Sequence, residues 1–163
     1  MRKLIVDVET TGLSAKYGDR MLEFCALDYE TEETFTYSFN PERNIPTFIT
    51  GLTNIKNEDV INLPKFAEEA DNILSLLTDA ELIIHNAEFD LSFIKNEFLL
   101  CKKPFKTSIT TCTLKMARTK YPNQKNSLDA LCERYKIDVS SRKFHTAKTD
   151  CELLLQVYKK LIL

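Results

Sequence analysis

Lys3-Leu4-Ile5-Val6-Asp7-Val8-Glu9-Thr10-Thr11-Gly12 begins as a strand. Alternation sends Leu4, Val6 and Val8 to one face and Ile5, Asp7 and Glu9 to the other. Its β-branched residues favour the extended state. Two carboxylates then share one face of a strand that is otherwise apolar. Like charges that close repel, and burial raises the cost for both. A strand end that meets solvent accounts for the pair; so does a cation held between them. Asp and Glu oxygens are hard ligands suited to Mg²⁺ or Mn²⁺. Carboxylates arriving from elsewhere in the chain would favour the cation.

The bulk properties set the frame. With 163 residues, 44% of them hydrophobic and 28% charged, the chain is expected to form one globular domain spanning 1–163. It has no 18-residue apolar run and no signal-peptide layout, so a cytoplasmic protein with no membrane partner is expected. The cysteines, Cys25, Cys101, Cys112, Cys132 and Cys151, form no C-x-x-C pair and read as reduced, mostly buried thiols. A net charge of −2 argues against coating a duplex. It permits a protein that grips one end of a nucleic acid, because bound dications would place positive charge at the site.

Outward from the first strand, Met21 to Tyr29 and Glu33 to Asn40 carry extended patterns and predict a hairpin turning near Glu30 to Glu32. Pro46 closes a loop begun at Pro41. Asn57 to Val60 predicts a short helical turn, and Phe66, Ala70, Ile73, Leu74 and Leu77 form the stripe of a longer helix. Glu81 to His85 is a short apolar strand. Asn86 then stands at an N-cap position for a helix from Ala87 to about Leu100. Asp90 lies three and four residues before Phe93 and Ile94, on the core stripe of that helix. Thr107 to Thr111 predicts a fifth strand, and Thr113 to Tyr121 a helix ended by Pro122. Ser127 caps a helix over Leu128 to Tyr135; Ile137 to Lys143 reads as a polar loop. The last helix, Thr146 to about Leu161, has a stripe of Leu153, Leu154, Val157 and Leu161, again with an acid, Asp150, on it. His145 precedes that helix, five residues and about 140° from Asp150, and reads as a loop residue arching over a site. This order of elements predicts an α/β fold with a mixed sheet and helices on both sides.

Four acids from three separated segments now stand out: Asp7, Glu9, Asp90 and Asp150. That is the donor set of a two-metal site, which clamps the attacking and leaving oxygens of a phosphoryl transfer. His145 can take a proton near neutral pH and is the candidate base. His85, the only other histidine, is better read as a structural hydrogen-bonder at a strand end. Lys102, Lys103, Lys106, Lys115, Arg118, Lys120 and Lys125 either track phosphates or simply face solvent.

Asp7-x-Glu9-Thr10-Thr11-Gly12, His85-Asn86-x-x-Phe89-Asp90 and His145-x-x-x-x-Asp150 resemble the three motifs of the DEDDh, or DnaQ-like, 3′–5′ exonucleases. Asn126-Ser127-Leu128-Asp129-Ala130-Leu131-Cys132 is similar to a segment of proofreading epsilon subunits of bacterial DNA polymerase III. The resemblance covers nearly the whole chain. It implies a ribonuclease H-like fold with a five-stranded mixed sheet and two bound Mg²⁺ or Mn²⁺ ions. Asp7 would bridge both ions, Glu9 and Asp150 would hold the one carrying the attacking water, Asp90 would serve the leaving-group side, and His145 would deprotonate the water. Nucleoside 5′-monophosphates would leave one at a time from a single-stranded DNA 3′ end. The main chain at Thr10 and Thr11 would contact the terminal nucleotide, with Leu13, Ile55, Asn86 and Phe89 against its base, sugar or phosphate. A replicative DNA polymerase catalytic subunit is the implied partner.

Two departures are visible. Thr53 stands where the best-known epsilon subunits carry a histidine, so terminal-nucleotide contacts are expected to differ there. An Asp common near Cys112 is missing. The sequence stops at Leu163 without the tail and clamp-binding motif of epsilon subunits, as for a catalytic core or a stand-alone exonuclease. One rival is the same chemistry on RNA, as in ribonuclease T and oligoribonuclease. The other is a binding module that keeps the fold; a dead copy would be expected to have lost a buried carboxylate, and all of them are present.

Overall fold

A computed structural model describes residues 1–106 and 109–163. The opening stretch is the central strand, β1 (Arg2–Thr10). It pairs antiparallel with β2 (Met21–Asp28), which pairs antiparallel with β3 (Thr34–Ser38). On its other side β1 runs parallel to β4 (Ala80–Ile84), and β4 parallel to β5 (Thr110–Cys112). The order β3-β2-β1-β4-β5 makes a five-stranded mixed sheet, as expected. The expected fifth strand begins later than its sequence pattern, and Thr107 and Ser108 lie outside the described residues.

The alternation in β1 divides the core. Leu4, Val6 and Val8 pack with Ala70, Ile73 and Leu77 of α3 (Phe66–Leu77) and with Phe93, Ile94 and Phe98 of α4 (Ala87–Leu100). Ile5 packs on the opposite face with Cys25, Leu27, Ile83 and the Cys151, Leu154 and Tyr158 side chains of α7 (Ala147–Leu161). Each such side chain contributes roughly 1.5–3 kcal/mol on burial, so the face assignment of β1 is strongly fixed. Two helices, α5 (Thr113–Lys120) and α6 (Leu128–Arg134), cover the outer side of α7 through Ala117, Leu131, Cys132, Leu153 and Val157. A smaller cluster of Leu22, Ile45, Ile49 and Val60 seats α1 (Thr47–Thr53) and α2 (Asn57–Val60) beside the start of β2. Helices thus lie on both sides of the sheet. All five cysteines are free thiols, and Cys25, Cys132 and Cys151 are buried. No described helix is long and apolar enough to cross a membrane.

The end of β1 is tightly built. The β1–β2 register shifts between Glu9 and Thr10, so the chain bulges where the acids end. Thr11 donates its N–H to the Arg20 carbonyl (2.8 Å) and its hydroxyl accepts from the Arg20 N–H (2.9 Å). A Cβ at Gly12 would run into the Asp19 carboxylate, which would have to move aside and loosen its bonds to Thr11 and Ser14.

Candidate active site

Glu9 and Asp7 leave β1 on the face covered by α7, as the alternation predicts. The register puts Glu23 of β2 directly opposite Glu9, a like-charge pair that is unfavourable unless something offsets it. Part of the offset comes from α7, whose first N–H, on Ala147, donates to Glu23 Oε2 at 3.2 Å. Glu23 was not foreseen as part of the site. Its signal is a lone acid in the apolar run Met21–Leu27, but pairing it with Glu9 requires the strand register.

Asp90 arrives from the other side of the sheet. It sits in the first turn of α4, is 3% exposed, and its Oδ1 accepts from the Val8 N–H at 3.2 Å. The α4 helix is therefore pinned to β1 between the two strand acids. Asn86 does occupy the N-cap position, but it adopts a left-handed conformation (φ 62°, ψ 52°) and its side chain makes no capping bond. The sequence predicts the place and misses the geometry: the residue makes the sharp turn out of β4, a role Asn tolerates better than most residues.

Thr146 caps α7 by accepting from the Thr149 N–H (3.1 Å), which leaves His145 just ahead of the helix. The His145 N–H donates to the Leu52 carbonyl of α1 (3.0 Å), fixing the loop over the site. Asp150, 6% exposed, faces His145 Nδ1 at 3.3 Å. One ligand atom each from Glu9, His145 and Asp150 falls within 4.8 Å of the others.

Arg142, from the loop read as merely polar, is inserted into this cluster. Its Nη2 donates to Asp150 Oδ2 (3.1 Å) and approaches His145 Nδ1 (2.6 Å), and its Nη1 pairs with Asp129. Its Nε stands 2.9 Å from Asp150 Oδ1, yet neither atom has a well-formed hydrogen bond. These contacts bear on proton transfer. If His145 Nδ1 accepts from Arg142, the ring proton sits on Nε2. If Nδ1–H donates to Asp150, Nε2 is bare and can act as a base. Arg142 and Asp150 therefore favour opposite tautomers.

Burial dominates the electrostatics. Desolvation, then Asp90, Asp150 and Glu9, raise Asp7 well above the carboxylate range. Desolvation, then Asp150 and Glu23, push Glu9 up to about 8. Desolvation also raises Asp90 to about 8, against the lowering effect of the Val8 N–H. Asp150 is raised by burial, with Arg142 and His145 opposing. A raised carboxyl stabilises the fold below its unfolded pKa and loses that contribution as pH rises through its folded pKa. His85, pushed down to about 4 by burial, is neutral in both states above about 6.5 and drops out there. Without divalent ions the protein should therefore lose stability from pH 6.5 to 8, by up to about 2 kcal/mol for each proton retained across that interval, at ~1.4 kcal/mol per pH unit. Melting with chelator across that interval reads this directly, and Mg²⁺ should flatten the slope. A flat melting temperature with chelator would mean that the acids are not held against their ionisation.

Comparison with known proteins places this arrangement. An exonuclease model, of the RNase T type, matches residues 4–158. The chain belongs to that exonuclease family. It is 39% identical over 170 residues to DNA polymerase III subunit epsilon of Rickettsia conorii, covering 99% of this chain and 74% of that protein. To the Escherichia coli subunit it is 37% identical over 169 residues, covering 96% of this chain and 70% of that protein. The fold is shared with the nuclease domain of 3′hExo, a DEDDh family member bound to rAMP (TM-score 0.82, 17% identity, 99% of this chain and 91% of that one). It is also shared with E. coli exonuclease I in complex with a dA16 oligonucleotide (TM-score 0.83, 19% identity, 99% and 40%).

DEDDh exonucleases use divalent metal ions, and the donor set here suits them. The oxygens are hard, several carboxyls are held against their own ionisation, and buried Asp150 Oδ1 lacks a well-formed bond. The residues expected around the substrate have different surroundings. Leu13 is 79% exposed, Ile55 packs on the α1–α2 cluster, and Phe89 lies against Phe93 with ring centroids 5.0 Å apart. The Thr10 and Thr11 hydroxyls are spent on Gly12 O and Asp19, and the Thr11 N–H on Arg20. Thr53 is buried, its hydroxyl donating to Ile49 O (2.8 Å) and accepting from the Ile55 N–H (3.1 Å). That hydroxyl organises the α1 C-terminus.

Proposed function

We propose that this exonuclease is a single catalytic domain that removes nucleotides from single-stranded or frayed DNA 3′ ends, as the proofreading partner of a replicative DNA polymerase subunit in the cytoplasm. The observation that carries this reading is the convergence of Glu9, Asp90 and Asp150 around Asp7 from β1, α4 and α7, with one ligand atom each of Glu9, Asp150 and His145 within 4.8 Å of one another. The epsilon relatives and a solved neighbour holding an oligodeoxynucleotide support DNA and the polymerase.

Asp7 would be shared by two ions, with Glu9 and Asp150 on one and Asp90 on the other. Mg²⁺ or Mn²⁺, when bound, would neutralise charge on the scissile phosphate and acidify a water. The chain's own groups do the rest. With Asp150 accepting from Nδ1–H, His145 Nε2 takes the proton of the attacking water, a contribution of roughly 10²–10⁴ in rate. The water oxygen bonds to phosphorus and the P–O3′ bond breaks. The terminal nucleotide leaves as a 5′-monophosphate, and the new 3′-oxygen takes a proton from solvent. The Val8 N–H keeps Asp90 aligned throughout. Digestion of matched 5′-labelled DNA and RNA oligonucleotides tests this, with Mg²⁺, with Mn²⁺ and with chelator. A metal-dependent ladder shortening from the DNA 3′ end is expected. A ladder on RNA alone would move the protein to RNA turnover. None on either, from folded protein with metal, would leave a binding module.

A further inference from the structure

Beside the carboxylates, at the ends of β4 and β5, the chain forms a groove of about 350 Å³. Its walls are His85 and Asn86, then Leu114 and Arg118 of α5, and the loop that leads into α6. That loop is firmly set. Asn126 donates to the Tyr121 and Gln124 carbonyls (both 3.0 Å) and accepts from Arg134 Nη1 (3.1 Å). Arg134 also lies over the Tyr121 ring at 4.4 Å. Asn126 therefore shapes the wall and has little left to offer a ligand.

Arg118 is different. Arg2, Arg20, Arg43, Arg134 and Arg142 are each bonded to a carboxylate or a carbonyl. Arg118 is exposed and makes no hydrogen bond or ion pair with any described residue. It stands close enough to His85 for its charge to be felt there. His85 Nδ1 meets the Thr113 hydroxyl at 2.9 Å, while its buried Nε2 has no well-formed hydrogen bond. A fixed groove thus holds one uncommitted guanidinium, with the half-buried His85 ring turned toward the Asn126 backbone behind it. On the β2 side of β1, away from β4, the surface is apolar: Leu52 holds the His145 N–H by its carbonyl, and Leu13, Phe48 and Leu52 are 79%, 57% and 50% exposed.

The two flanks suit the two ends of a cleaved strand. A terminal nucleoside offers a base and a sugar to apolar side chains and no further phosphate. The strand on the other side of the scissile bond carries a negative charge at every nucleotide. Resting on the exonuclease reading above, we propose that the Arg118 groove is a second phosphate subsite. There the guanidinium grips the backbone just upstream of the scissile bond and holds the strand between cuts. A guanidinium matches a phosphate in two-point geometry, which an exposed lysine does not.

The test compares two substrates on Arg118→Ala and on Lys115→Ala, a neighbouring lysine that lines a different groove. One substrate is a 5′-labelled oligodeoxynucleotide; the other is the p-nitrophenyl ester of thymidine 5′-monophosphate, which has no upstream strand. Arg118→Ala should raise KM on the oligonucleotide about tenfold. The slope of log affinity against log salt should become shallower by about 0.7. Ester hydrolysis should stay within about twofold of wild type, and Lys115→Ala should change neither substrate. Unchanged KM on the oligonucleotide, an equal loss on both substrates, or the same loss in Lys115→Ala would overturn the proposal. If wild type cleaves neither substrate, the exonuclease reading fails on its own. Anisotropy of a fluorescent oligonucleotide with chelator then decides the groove: weaker binding by Arg118→Ala upholds it, and equal binding overturns it.

Discussion

Asp7→Asn is expected to lose at least about a thousandfold in hydrolysis while melting higher than wild type in chelator. The first effect follows from position. Asp7 lies on β1 among Asp90, Asp150 and Glu9, all of which raise its pKa, so it is the acid that the other three surround. An amide of the same shape cannot offer an anionic oxygen to two dications. Losing several kcal/mol of charge stabilisation corresponds to a thousandfold or more. The second effect has the opposite sign. Wild-type Asp7 must hold a proton or bear a costly charge near pH 8, and Asn does neither. The gain should be largest near pH 8, shrink as pH falls, and vanish only below about pH 4, where the unfolded carboxyl is mostly protonated as well. A misfolded variant would lose both activity and melting temperature. Normal turnover by Asp7→Asn would remove it from the site.

Glu97→Ala should cost about 3–5 kcal/mol in urea unfolding. Glu97 is 2% exposed on α4 and faces the start of β2. Its Oε1 accepts from Arg20 Nε (2.8 Å) and from the Met21 N–H (3.1 Å), and its Oε2 accepts from Arg20 Nη2 (2.8 Å). Truncation leaves a largely buried guanidinium and a buried N–H without their partner. The secondary Arg20–Glu42 contact, at 3.6 Å, is too long to compensate. Removing both charges, in Arg20→Met with Glu97→Leu, should recover most of the loss, because the cost lies in the orphaned cation. A loss below about 1 kcal/mol in Glu97→Ala would show that water reaches Arg20 freely. Activity should suffer less than stability, since Glu97 bonds to Arg20 and Met21 and to none of Asp7, Glu9, Asp90 and Asp150.

The site was legible in the sequence wherever a side chain's face follows from periodicity. Period two put Asp7 and Glu9 on one side of β1, and period 3.6 put Asp90 and Asp150 on core stripes. His145 was legible because five residues do not bring it onto the Asp150 face of a helix. What periodicity cannot reach is the meeting of separate segments. Glu23 enters through strand register, and Arg142 through the path of a loop that pattern alone calls polar. Glu97 lies seven residues beyond Asp90, on the same stripe. A glutamate there reads as solvent-facing until Arg20, the residue just before β2, is seen to arrive. Asn86 and Thr53 show the remaining limit. Their positions follow from the sequence, but what their side chains bond to depends on backbone conformation at an element's end.

The most direct measurement is release of 5′-monophosphate from a 5′-labelled oligodeoxynucleotide as Mn²⁺ is titrated into chelator-treated protein, with Asp7→Asn beside the wild type. The expected result is no product in chelator, a rise with metal that needs two ions per chain, and no rise in Asp7→Asn. Product formed in chelator, or an equal rise in the variant, would contradict a reaction that runs through these four carboxylates.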